Sequence, residues 1–143
     1  MTSNSLLKNK NFVLFLSIRW FYSLAIQSIT LTVGWQVYIL TGNPLDLGLI
    51  GLAQVLPIFL FILPSGVIAD KFDRKVVISL CTIVHLLVAI YLLYYSLGDP
   101  ESIWPILAAL LVHGTARAMY QPSLNAILPN IVEKKLFPNA TAY

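Results

Sequence analysis

The sequence has little charge. Asp, Glu, Lys and Arg together make up 10% of its 143 residues, whereas 58% are apolar and the mean hydropathy is +0.80. A water-soluble domain carries about 25% charged residues, which help to cover its surface. The composition therefore excludes an ordinary soluble domain and predicts that the lipid bilayer is the main partner of the chain.

Cysteine and acidic residues are also scarce. Cys81 is the one cysteine, so no intramolecular disulfide or cysteine-based metal cage can form within this sequence. The six acidic residues all lie at the ends of long apolar runs or between them: Asp46, Asp70, Asp73, Asp99, Glu101 and Glu133. Because the sequence shows no nucleophile triad, phosphate-binding glycine loop or metal-ligand constellation, we expect neither enzymatic activity nor a cofactor or metal.

Four long apolar runs fill most of the chain. They cover residues 12–40, 47–69, 76–97 and 103–128. About 20 apolar residues in a helix cross the hydrocarbon layer, so each run predicts a transmembrane helix and the fold class is all-α, integral membrane, over 1–143. The short links make neighbouring helices alternate in direction. In the first link, we expect Gly42 to end one helix in a left-handed conformation and Asn43 to cap the next.

The distribution of basic residues predicts the topology. Seven of the nine lie on one side of the predicted helices: Lys8, Lys10, Lys71, Arg74, Lys75, Lys134 and Lys135. By the positive-inside rule this side is cytoplasmic, which places both termini of the segment in the cytoplasm and the helices in the plasma (inner) membrane. The basic residues are spread along the chain rather than clustered, so no nucleic-acid partner is expected.

The other two basic residues lie inside apolar runs. Helical spacing places each arginine on one face with further polar side chains: Arg19, Ser23, Gln27 and Thr30 in the first helix, and Arg117, Gln121 and Asn125 in the fourth. An arginine at the centre of a membrane helix costs about 2.5–3.5 kcal/mol, and amides there need hydrogen-bond partners. We therefore predict that both faces line a polar substrate cavity. The alternative is that Arg19 snorkels to the headgroups while the small polar residues only let helices pack.

Two histidines lie in the third and fourth apolar runs. His85 and His113 are candidates for a proton relay, because imidazole titrates near neutral pH. Neither has a carboxylate at helical spacing, which favours a packing role for both.

The link between the second and third helices carries an ordered motif: Gly66-Val67-Ile68-Ala69-Asp70-Lys71-Phe72-Asp73-Arg74-Lys75. This motif resembles the loop signature of the major facilitator superfamily, in which a glycine, an aspartate and three basic residues recur at this spacing. It departs from the common form at Asp73, where glycine is usual. Two further segments, 35–45 and 116–129, resemble the branch that contains enterobactin exporters and macrolide efflux proteins.

The resemblance implies a fold, a function and a role for the loop. Members have about twelve spans in two halves and expose a small-molecule substrate alternately to either side of the membrane. The implied function is secondary active export of small amphipathic compounds of drug or siderophore type, with protons as a candidate coupling ion. In relatives the loop acts as a cytoplasmic latch, a role that would fall to Asp70, Lys71, Arg74 and Lys75. Gly66, the first residue of the signature, would permit close helix approach beside the latch or be a small packing residue.

The resemblance also predicts how much of a transporter this sequence contains. Only four spans are present, so we expect the amino-terminal part of a longer transporter. Two other architectures stay open at this point: a self-contained four-helix multidrug transporter that dimerises, and a non-transporting membrane subunit or remnant whose polar faces hold helices together. Small dimeric multidrug transporters rely on a glutamate in their first helix, and residues 12–40 contain none.

Overall fold

The computed structural model describes residues 10–98 and 100–131, which form four helices. They are α1 (Lys10–Thr41), α2 (Pro44–Lys71), α3 (Arg74–Leu97) and α4 (Trp104–Ile131). Each helix agrees with one predicted apolar run to within three residues at either end. The all-helical fold class is therefore confirmed.

Three of these helices are long and apolar enough to cross a membrane. The qualifying segments are Phe12–Thr41, Pro44–Val67 and Arg74–Leu97. The fourth helix, α4, is as long as α2 but contains an arginine, a histidine and several amides, which lower its apolarity. A fourth membrane crossing, and the assignment of the chain to one half of a larger domain, stay predictions.

The first link follows the expected turn chemistry. Gly42 adopts a φ of +63°, which L-residues with side chains rarely tolerate, and its N–H donates to the Tyr38 carbonyl at 2.8 Å. The Asn43 side-chain oxygen then accepts from the Leu45 N–H at 3.1 Å, at the start of α2. The predicted closure of α1 and capping of α2 are both confirmed.

The link between α2 and α3 has Asp73 at the position where glycine is usual in the loop signature. Its φ of −60° and ψ of 117° are ordinary extended values, and its carboxylate accepts from the Lys75 N–H at 2.9 Å. Asp73 is thus the N-cap of α3, a position that favours aspartate. No left-handed residue is required here, so the replacement of glycine leaves a well-formed turn.

Helix α4 is the centre of the bundle and packs mainly against α2 and α3. At Gly114 the helix lies close to the α2 backbone, since a Cβ atom there would lie 2.6 Å from the Gln54 carbonyl oxygen and 3.3 Å from that of Ala53. Pro57 lies within the continuous helix α2 and cannot donate to the Ala53 carbonyl. Because Gly114 has no side chain, the backbones of α2 and α4 can meet here. The contact lies beside the Ala53 carbonyl, which receives no hydrogen bond from Pro57.

Two apolar clusters occupy opposite ends of the bundle. Phe12, Phe15 and Tyr120 belong to the cluster near the start of α1, whereas Val37 and Leu110 belong to the larger cluster near its end. Large apolar side chains also point outward along all four helices. This pattern suits helices whose outer surface faces acyl chains.

We predict that Gly114→Ala destabilises the bundle by roughly 1–3 kcal/mol, because the added methyl group would overlap the α2 backbone. The measurement is the apparent melting temperature of the purified protein in detergent. Gly51→Ala is the matched control, since open space surrounds Gly51 within α2. Equal melting temperatures for the two variants would contradict the close contact.

Candidate functional site

A polar cavity of about 730 Å³ lies between α1, α2 and α4. It occupies the end of the bundle at which α1 begins and α2 and α4 end. Six of the seven residues predicted to line a cavity lie in its wall: Arg19, Ser23, Gln27, Arg117, Gln121 and Asn125. The structure thus brings the two polar faces together around one space.

The third wall of this cavity comes from α2. Ile58 and Ile62 supply apolar surface, and Ser65 and Gly66 complete the wall near the end of the helix. The space therefore has an apolar side opposite its charged and amide groups, as sites for small amphipathic molecules do.

Thr30 lies outside this cavity, although it shares a helix face with Arg19. Its hydroxyl oxygen lies 3.0 Å from the Ile26 carbonyl oxygen and 3.1 Å from Gln54 Oε1. Gln54 is a buried amide on α2, with 5% of its surface exposed. The pair joins α1 to α2, so Thr30 has the helix-packing role of the alternative interpretation, whereas Ser23 and Gln27 on the same helix line the cavity.

Two tyrosines bring the arginine-bearing turns together. The rings of Tyr22 and Tyr120 stack with centroids 3.8 Å apart and planes 15° from parallel. Each tyrosine follows its arginine by three residues, so Arg19 and Tyr22 lie on one face of α1 and Arg117 and Tyr120 on one face of α4. This shared Arg-x-x-Tyr spacing is a sequence signal that the polar faces alone do not include.

The two histidines are buried, as a packing role requires, and they form a hydrogen-bonded pair between α3 and α4. His85 Nδ1 lies 3.1 Å from His113 Nδ1, and His85 Nε2 lies 3.0 Å from the Tyr22 hydroxyl. A neutral imidazole has one N–H, so one Nδ1 donates to the other. His113 is fully buried, and its Nε2 has no partner among the described residues. The partners of each ring lie on neighbouring helices, which residue spacing along a single helix cannot show.

The residues of the loop signature occupy the junction between α2 and α3. Lys71 ends α2, Arg74 and Lys75 begin α3, and the Arg74 guanidinium donates to the Ala126 carbonyl on α4 at 2.7 Å. The side chain of Asp70 lies outside the described part of the structure. Within that part, Arg74 is the signature residue with a defined contact to the rest of the bundle, and it ties the loop to α4.

We predict that His85→Leu lowers the melting temperature of the purified protein, because it leaves the Tyr22 hydroxyl and the His113 ring without the partners they have in the structure. Each buried polar group left unsatisfied costs roughly 1–3 kcal/mol. The double variant His85→Leu/His113→Leu removes both rings and should be less destabilised than the sum of the two single variants. Strict additivity in the measured melting temperatures would contradict the paired arrangement.

Comparison with known proteins places the chain in a family. The model of the family described as transmembrane secretion effector (MFS_3) matches residues 4–143. The chain is also similar to the uncharacterized MFS-type transporter YfiS of Bacillus subtilis strain 168, with 28% identity over 121 residues. That match covers 85% of this chain and 25% of the relative, so the chain spans about a quarter of the length of the curated relative it matches. No solved structure matches the chain.

Family and structure agree on the class of molecule. The matching family is described as a transmembrane secretion effector, and the matching relative is named as a transporter. The three long apolar helices and the family match indicate a multi-pass membrane protein. Because the family model covers nearly the whole sequence, this chain belongs to the transmembrane secretion effector family of major facilitator superfamily transporters.

Proposed function

We propose that this chain contributes the substrate cavity of a secondary active transporter that exports small amphipathic compounds by alternating access. The observation that carries the proposal is the convergence of two arginines and three amides from α1 and α4 on one cavity. The isoleucine wall of α2 faces the same space. Polar groups of this density are costly in lipid, so a water-filled substrate path is the environment that suits them.

The position of the cavity supports loading from the cytoplasm. The cavity lies at the end of the bundle where Lys71 closes α2 and Lys10 opens α1, which is the side rich in basic residues. The positive-inside rule assigns this side to the cytoplasm of a cell whose plasma (inner) membrane holds the protein. An exporter takes up its substrate from this side.

Export itself is supported by similarity. The matching family is described in terms of secretion, and residues 35–45 and 116–129 resemble enterobactin exporters and macrolide efflux proteins. The proposed substrates are therefore drug-like or siderophore-like molecules, for which protons are a candidate coupling ion. No acidic residue lies in the middle of an apolar run of this sequence, so a proton-carrying carboxylate would have to lie elsewhere in the transporter.

We predict that single cysteines at Gln27 and Asn125 react with a water-soluble thiol reagent in the complete transporter, and that a transported substrate slows the reaction. Both side chains are exposed to the cavity rather than packed. The background carries Cys81→Ala, which removes the buried native thiol. Labelling is measured in membranes by mass shift or fluorescence.

Leu31→Cys is the matched control for this labelling. Leu31 is 74% exposed on α1 but is absent from the cavity wall, so its substituted thiol should face lipid and react slowly. Reaction at Gln27→Cys and Asn125→Cys no faster than at Leu31→Cys would show that these positions are not in an aqueous path.

For the loop, we propose that the signature residues form a cytoplasmic latch between the two halves of the transporter. The Arg74 contact with the Ala126 carbonyl supports a mechanical link from the loop to the cavity helix α4. Asp70→Asn should then reduce turnover several-fold while expression and membrane insertion stay near normal, as measured by initial transport rate per inserted protein. Asp46→Asn, an equivalent change in the opposite link, should leave turnover intact. Equal transport rates for both variants would mean that the signature residues only set the topology of the helices.

A further inference from the structure

We infer that the substrate is an organic anion and that the inside-negative membrane potential drives its export. The inference rests on the proposed function, and it adds the charge of the substrate and the source of energy. Its basis is the charge distribution of the cavity between α1, α2 and α4, together with the position of every acidic residue in the sequence.

The cavity wall carries positive charge from two different helices. Arg19 and Arg117 both line it, and both are partly buried. No carboxylate belongs to the wall among the residues that the structure describes. Two like charges that line one space repel each other, so a bound anion lowers the free energy of this arrangement and a bound cation raises it.

The helices offer no internal counter-charge at membrane depth. Between Asp46 and Asp70, α2 contains no ionisable residue, and neither α1 nor α4 contains an aspartate or glutamate. Helix α3, from Arg74 to Leu97, also contains no aspartate or glutamate. The negative charge that two intramembrane guanidinium groups require can therefore come from a substrate in the cavity.

The other groups in the wall fit the same ligand. Gln27, Gln121 and Asn125 add amide N–H donors, and guanidinium groups donate in pairs to carboxylate, sulfonate or phosphate oxygens. Ile58 and Ile62 offer an apolar surface for the body of the molecule. The geometry points to a small amphipathic molecule with an acidic head, such as an aryl carboxylate or sulfonate.

An anionic substrate changes the energy source that export requires. Where the substrate crosses without a coupled ion, the charge that crosses the membrane in one complete cycle is the charge of the substrate, because the protein returns to its starting state. A potential of 100 mV, negative inside, favours the outward position of a single negative charge by about fifty-fold at equilibrium. Export of an anion can therefore proceed without a proton-carrying carboxylate, and these four helices contain none in their interior.

The test uses the complete transporter in liposomes with valinomycin and a potassium gradient to set the potential. Two radiolabelled probes share one apolar body and differ in charge: 2-naphthalenesulfonate and trimethyl-2-naphthylammonium. We expect the sulfonate to be transported in preference to the ammonium compound. Reversing a 100 mV potential should reverse the direction of its net movement, and each polarity should shift its equilibrium ratio by about fifty-fold. A pH gradient imposed at zero potential should not move it.

Variants connect this behaviour to the arginines. Arg19→Gln and Arg117→Gln should each raise the KM for the sulfonate by roughly 10- to 100-fold, the loss expected for a charged hydrogen bond. Arg19→Lys and Arg117→Lys keep the charge and should retain most of the preference for the anion. The Gln variants could instead transport less while their residual activity keeps the wild-type preference for anions. That result would contradict a direct role of the two arginines in charge selection.

The outcomes separate this inference from the proposed function. Transport of the ammonium compound in preference, or movement of the sulfonate that follows the pH gradient and ignores the potential, overturns the inference and leaves the exporter function standing. Failure of the wild-type transporter to move either probe faster than empty liposomes counts against both.

Discussion

The structure depends on the cost of placing guanidinium groups inside a membrane. Arg19 and Arg117 each lie within a long helix whose other faces are largely apolar, and neither can be left against acyl chains without a penalty of about 2.5–3.5 kcal/mol at membrane centre. The fold meets this constraint by turning both toward a space shared by three helices, where water, amides and a ligand can surround them. The position of the cavity follows from that requirement.

Contacts between helices hold the arginines in this arrangement. Gly114 lets α4 approach the backbone of α2, and the Tyr22–Tyr120 stack fixes the first half of α1 against α4. The histidine pair extends the same polar contact to α3 through the Tyr22 hydroxyl. Tyr22 also belongs to the cavity wall. A substitution at His85 or His113 that moves the Tyr22 ring would therefore change the surface that a substrate would meet.

Much of this architecture is readable from the sequence, because it depends on patterns within single helices. The apolar runs, the left-handed Gly42 and the polar faces that carry the arginines are all local features, and the structure has them where they were predicted. Contacts between helices were not readable. Thr30 shares the spacing of the cavity residues but lies beside Gln54, since a helix face meets different neighbours along its length. The histidine pairing could not be predicted from the sequence, because hydrogen-bond partners 28 residues apart on different helices produce no periodic pattern.

The central claim is that Arg19 and Arg117 face one aqueous cavity. The most direct measurement is a cryo-electron microscopy reconstruction of the complete transporter in a lipid nanodisc, at a resolution that shows side chains and ordered water. We expect both guanidinium groups in a common water-filled space bounded by α1, α2 and α4, with the Tyr22 ring stacked on Tyr120. Guanidinium groups on separate outer surfaces, each in contact with lipid, would contradict it.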